Sequence, residues 1–227
     1  MTCLAIITSM ESGSSRHHCL VYQGAPSRHL PAVAQVLHEK LKQNYRCLYL
    51  NSPTMVAGLQ SYLAMIGVNV ARETAKTNLV LSSEQKHLRC GHFDVDAMLR
   101  TLEEGLKQAL RDGYRGLWAT GDMAWEFGLR KDFSKLLEYE WRLEEFFHTH
   151  PEIGGVCQYH AGSMPDDALR LGLTAHRSVF INETLSRVNP HYVRPEFFTH
   201  EAIERPAFES FLHRLCVSGE VATEVAN

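Results

Sequence analysis

The sequence contains no C-x-x-C pair, no block rich in lysine and arginine, and no apolar run long enough to cross a bilayer. Each absence removes a class of function. The six cysteines, Cys3, Cys19, Cys47, Cys90, Cys157 and Cys216, are scattered, which fits reduced, mostly buried thiols better than a disulfide framework. With 23 Lys+Arg against 26 Asp+Glu, the chain is near neutrality and lacks the electrostatic footprint of a protein that binds nucleic acid directly. The opening "MTCLAIITSM" has no basic flank and is too short for a secretory core or a membrane span, so a cytoplasmic protein without membrane contact is expected. Histidine is plentiful by contrast, at 13 copies. The groups that invite a metal are His17 with His18, His87 with Cys90 and His92, His148 with His150, and Cys157 with His160. None repeats at the paired spacing of a structural zinc site, so no metal and no cofactor is expected.

What is present is an alternation of short β-rich runs with longer helical patterns, the signature of a parallel sheet with crossover helices. Strands are expected at residues 18–23, 46–51, 78–83, 116–121, 155–160 and 178–182. Most are continuous apolar runs, as when helices cover both faces. Helices are expected over about 27–43, 52–67, 93–114 and 132–150. In the second, Ser52 can cap, Pro53 fits the first helical position and Gly67 the stop; in the third, Val95, Met98, Leu99, Leu102, Leu106 and Leu110 recur at helical spacing. The fold class is therefore α/β, a three-layer doubly wound, mostly parallel sheet. It is preceded by an N-terminal segment (1–16) and followed beyond residue 185 by a proline-broken extension (186–227). One amphipathic helix in that extension carries Phe208, Phe211, Leu212, Leu215 and Cys216, either packed on the body or offered to a partner or a second copy.

The segment "DFSKLLEYEWRLEEFFHTH" places Glu140 on the same stripe as Phe133, Leu136, Leu137, Leu143 and Phe147. A carboxylate buried without partners is costly, so Glu140 must find donors, take up a proton or face a polar cavity. In an open parallel sheet, ligands bind beyond the carboxyl ends of the strands. Those ends supply Tyr22, Asn51, Ser83, Asp122 with Met123 and Trp125, and Tyr159 with His160.

Asp122 ends an apolar strand, the position from which a P-loop nucleotidase holds magnesium. The matching phosphate loop fails: counted from Gly24 through G-x-x-x-x-G-K-S/T, the second glycine falls on His29, the lysine on Leu30 and the hydroxyl on Pro31. There is no G-x-S-x-G elbow either. Cys157 and His160 point to opposite faces of one strand, because an offset of three is odd. No catalytic residue is expected.

Several patches, in order, resemble the MEDS domain, the methanogen/methylotroph DcmR-type sensory domain. They are "HHCLVY" (His17, Cys19, Tyr22), G-x-F-D (Gly91, Phe93, Asp94), "GDMAW", the acid of "LLEYE" (Glu140), "CQY" (Cys157, Tyr159) and His176. His87 stands where the family often has an aromatic. The resemblance spans about residues 17–183 and implies a RecA/KaiC-like core without a working phosphate loop. It also implies a non-catalytic module that senses small hydrocarbon derivatives and works with a histidine kinase or transcription regulator. No output region is visible, so output would run through a partner protein. The candidate ligand-binding residues are His17, Tyr22, Asp122, Trp125, Glu140 and Tyr159, with a small organic molecule bridging the Asp122 loop and the Glu140 helix. The alternatives are a nucleotide bound without hydrolysis, or a small-molecule enzyme using Asp122 or Glu140.

Overall fold

A computed structural model describes residues 16–181 and the strand at 185–188. The strands are β1 (His17–Tyr22), β2 (Tyr45–Leu50), β3 (Leu79–Ser82), β4 (Leu88–Arg89), β5 (His92–Phe93), β6 (Gly116–Asp122), β7 (Ile153–His160), β8 (Ser178–Ile181) and β9 (Leu185–Val188). The helices are α1 (Leu30–Lys42), α2 (Pro53–Met65), α3 (Val70–Ala75), α4 (Val95–Arg111), α5 (Met123–Glu126), α6 (Leu136–Thr149) and α7 (Asp166–Ala175). All six expected strands are present. They pair in parallel in the order β3-β2-β6-β7-β1-β8, and β9 closes that edge antiparallel to β8. The sheet thus runs three residues past residue 185, where the extension was expected to begin. The expected N-terminal segment and the amphipathic helix at 208–216 lie outside the described residues.

Side chains alternate across the sheet and separate two cores. Leu20, Tyr22, Cys47, Tyr49, Trp118, Val156 and Phe180 face α1 and α2, while Cys19, Val21, Leu48, Leu50, Leu117, Cys157, Tyr159 and Val179 face α4, α6 and α7. This is the three-layer arrangement that strands apolar on both faces require. Capping fixes where the helices start: Ser52 accepts from the Met55 amide, Asp94 from that of Ala97, and Asp122 from that of Trp125.

The G-x-F-D patch has a local cause. Cys90 and Gly91 take φ of 52° and 79°, the pair of positive values a two-residue hairpin needs, and join β4 to β5. Phe93 then stacks on Phe127 with ring centroids 4.1 Å apart, and Asp94 caps α4.

Three helices were not foreseen. α3 and α5 are too short to show a period, at 6 and 4 residues. α7 follows Pro165 with two acids in its first turn and buries Leu169 and Leu173, a helix-start pattern that was legible. Leu110, expected on the inward stripe of α4, is 43% exposed, and Ala109 is buried in its place. The 3.6-residue period has carried the stripe around by the last turn.

Candidate functional site

On the face of β1 that carries His17, four segments bring together a polar cluster that is buried apart from the edge of Glu144. The His17 Nε2 lies 3.1 Å from Glu140 Oε2, and its Nδ1 donates to Glu144 Oε2 at 3.1 Å. The His176 Nε2 lies 3.5 Å from the same Glu140 oxygen, and its Nδ1 donates to the Gly172 carbonyl at 2.6 Å. The Tyr159 hydroxyl donates to Glu140 Oε1, and the Cys157 thiol sits 3.5 Å from His17 Nε2 and 3.7 Å from Glu140 Oε2. β1 contributes the first histidine, α6 both acids, β7 the thiol and phenol, and the residue capping α7 the second histidine. Glu140 has therefore found donors, the first of the three outcomes open to it.

Charge in this cluster follows from burial and neighbours. Burial alone would depress the His17 imidazolium, but hydrogen bonds and charges from Glu140 and Glu144 outweigh it and raise its pKa to about 9. Burial, then the His17 charge, lowers His176 to about 4, against the opposing pull of Glu140. Burial would raise the Glu140 carboxyl, yet His176, His17 and Tyr159 together hold it below the usual carboxylate range. Burial and then Glu140 push the Cys157 thiol well up, which leaves it a poor nucleophile.

Beside Cys157, between the sheet and the helices, lies a hollow of about 20 Å³, lined by Gly121, Met123 and Glu126 on one side and Tyr139, Leu143 and Phe147 on the other. That is space for one water-sized group. Glu126 is buried, its Oε2 has no hydrogen-bond partner, and burial followed by the charges of Glu140 and Asp122 raises its pKa well above normal. Its Oε1 packs so close to β6 that a Cβ on Gly121 would lie 1.7 Å away, so only glycine leaves room for it.

The opposite face, at the carboxyl ends of β1, β6 and β7, holds a second cluster. The Tyr22 hydroxyl donates to Asp122 Oδ2 at 2.6 Å, and Asp122 Oδ1 accepts from the Trp125 amide at 2.9 Å. Burial raises the Asp122 carboxyl, while those two donors pull it back. The Tyr22 ring is flanked by His29 and His160, with centroids 3.9 Å and 4.9 Å away, and His160 Nε2 donates to the Gly24 carbonyl. Rings thus pack together beside the turn that follows β1. His29 Nε2 donates to Gln158 Oε1, Gln158 to Thr120 Oγ1, and Thr120 to the Val156 carbonyl.

The six candidate residues accordingly divide. His17, Glu140 and Tyr159 meet on one face, Tyr22 and Asp122 on the other, and Trp125 offers its backbone to Asp122 while its ring faces His87. The expectation was one crevice bridged by Asp122 and Glu140; the hollow beside Cys157 is lined by neither of them, and Glu126 is the acid that borders it. Sequence reasoning missed Glu126 because a four-residue helix has no readable face. It passed over the grouping of His17, Glu140, Cys157 and His176 because no two of them are close in sequence. The opposed faces of Cys157 and His160 were correctly read: Cys157 joins the first cluster and His160 stacks on Tyr22.

Among curated proteins, none matches the chain significantly. No described helix is long and apolar enough to cross a membrane. The family model described as MEDS, "MEthanogen/methylotroph, DcmR Sensory domain", matches residues 16–177 of the 227, a span that runs from one histidine of the buried cluster to the other. With the matching patches distributed through both clusters, the chain belongs to the MEDS family of sensory domains.

Proposed function

We propose that this chain is the non-catalytic sensing module of a prokaryotic signalling or transcription-control system. It admits a very small organic molecule into the hollow between β6, β7, α4 and α6 and acts through a partner protein. The observation that carries this reading is Glu126, a buried acid with an unpartnered Oε2 that lines a mostly apolar hollow. A buried carboxyl raised well above its usual pKa is a neutral acid, able to donate one hydrogen bond to a ligand oxygen, nitrogen or halogen. Met98 and Met123 line the same space, and their flexible side chains can repack around a guest larger than water. Such repacking displaces α4 and α6, whose outer faces share a charged groove bridged by Arg142 and Asp96 at 2.7 Å. A partner gripping that groove would feel the change. Binding is favoured over turnover because the Cys157 thiol, which sits beside His17, is buried and held protonated.

Thermal-shift and methionine-methyl NMR titration with one- and two-carbon alcohols, amines and halides tests this. Stabilisation with shifts of the Met98 and Met123 methyls is expected in wild type. Ala119→Val, which pushes two methyl groups into the hollow, should abolish both. Equal responses in the two proteins, or none to any compound, would remove the proposed site.

A further inference from the structure

We propose that His17 Nε2, His176 Nε2, Cys157 Sγ and Glu140 Oε2 form a binding site for one divalent transition ion of the zinc class. The four ligand atoms lie within 4.8 Å of one another and all four residues are buried. A tetrahedral ion with bonds of about 2.0–2.1 Å to nitrogen and oxygen and about 2.3 Å to sulfur sets ligand-to-ligand edges of roughly 3.3–3.6 Å. The observed separations are 3.1 Å for His17 to Glu140, 3.5 Å for His176 to Glu140, 3.5 Å for Cys157 to His17 and 3.7 Å for Cys157 to Glu140. Two of these edges fall within that range and two lie just outside it, while the remaining two, from His176 to His17 and to Cys157, are no longer than 4.8 Å, so small side-chain shifts suffice to close the shell.

The surroundings point the same way. Metal-ligating histidines hold their second nitrogen on a carboxylate or carbonyl, which fixes the ring and turns the other nitrogen to the ion. His17 does so through Glu144 and His176 through the Gly172 carbonyl, each by Nδ1, with both Nε2 atoms toward Glu140. The Tyr159 hydroxyl occupies Glu140 Oε1 and leaves Oε2 to the centre. Two neutral imidazoles, one carboxylate and one thiolate with a divalent ion sum to zero charge, the condition a fully buried centre favours. The donor set mixes nitrogen, oxygen and sulfur, which suits zinc, cobalt or iron(II) and disfavours magnesium and calcium. The ion would tie β1, β7, α6 and the α7 terminus at one point. The site shares Cys157 with the lining of the hollow proposed above, but Glu126 is no part of its donor set, so metal content can be measured whether or not that hollow takes a ligand.

Because the cluster is buried, loading accompanies folding. The full chain is refolded from denaturant with Zn²⁺ or Co²⁺, desalted, and its metal content measured. About one ion per chain is expected, as in a structural zinc site. X-ray absorption at the zinc edge should show one sulfur and three nitrogen or oxygen neighbours, and the cobalt form a thiolate charge-transfer band. Cys157→Ser should abolish that band, and His176→Gln should weaken retention by about tenfold or more. Wild type left without metal overturns the proposal, as does a zinc shell with no sulfur or with several. Equal metal content and spectra in wild type and both variants would overturn it too. The shell of the wild-type protein decides the matter even where a variant fails to fold.

Discussion

Replacing Glu126 with glutamine removes one proton equilibrium and little else, because the amide has nearly the shape of the protonated acid. The carboxyl is buried among Met123, Tyr139, Leu143 and Cys157; the charges of Glu140 and Asp122 both oppose its ionisation, and His87 donates to its backbone carbonyl and not to its side chain. Its folded pKa therefore lies well above the model-peptide 4.5. A raised folded pKa means the native state binds a proton that the unfolded chain releases, so stability is fully present below pH 4.5 and lost as pH rises toward the folded value. The loss is about 1.4 kcal/mol per pH unit across that window. Glu126→Gln cannot titrate, so its unfolding free energy minus that of wild type should climb with that slope from pH 4.5 upward. Imperfect hydrogen bonding by the amide, on the order of 1 kcal/mol, offsets the whole profile without altering its slope. Buried neutral His29, with its pKa depressed by burial to about 4, gives the opposite trend as pH falls below 6.5. It does so in both proteins, and cancels in the difference. Urea unfolding followed by tryptophan fluorescence from pH 4.5 to 7.5 provides the measurement. Parallel profiles would refute the placement of a neutral acid in this pocket.

Two further substitutions probe the two clusters separately. Tyr22→Phe deletes the donor 2.6 Å from Asp122 and should destabilise by about 1.5–3 kcal/mol in urea titration, the cost of losing a buried hydrogen bond to a charged group. Gly172→Ala would bring a Cβ to 2.3–2.5 Å from the Tyr159 ring and 2.8 Å from its hydroxyl. The ring must move away from Glu140, at about 1–3 kcal/mol, seen as a lower Tm and a shifted tyrosine absorption.

The sheet was legible because parallel strands covered on both faces are short apolar runs, and every such run from "HCLVYQ" to "SVFIN" became a strand. Strand parity likewise placed Tyr22 with Leu20 and Cys157 with Tyr159. Parity also held the warning that Tyr22 and His17 point apart, which the single proposed crevice ignored. The family patches mixed local and remote causes. Gly91 and Asp94 serve a turn and a cap, whereas His17, Glu140 and His176 meet only through tertiary packing. Spacing rules for metal ligands see neighbours in sequence and are blind to such groups. Glu126 was invisible for a similar reason: its burial follows from Gly121 yielding space across a tight strand-to-helix junction.

The position of β1 has a consequence for synthesis on the ribosome. It is the first strand described, yet its parallel neighbours are β7 and β8, and Cys157 meets His17 across 140 residues of chain. At roughly 5–20 residues per second, the segment that shields this strand emerges on the order of ten seconds after it. Until then an apolar strand waits with both edges open, a standing hazard for association between nascent chains. The translation rate through the middle of the message thus bears on how much of the protein reaches its native state.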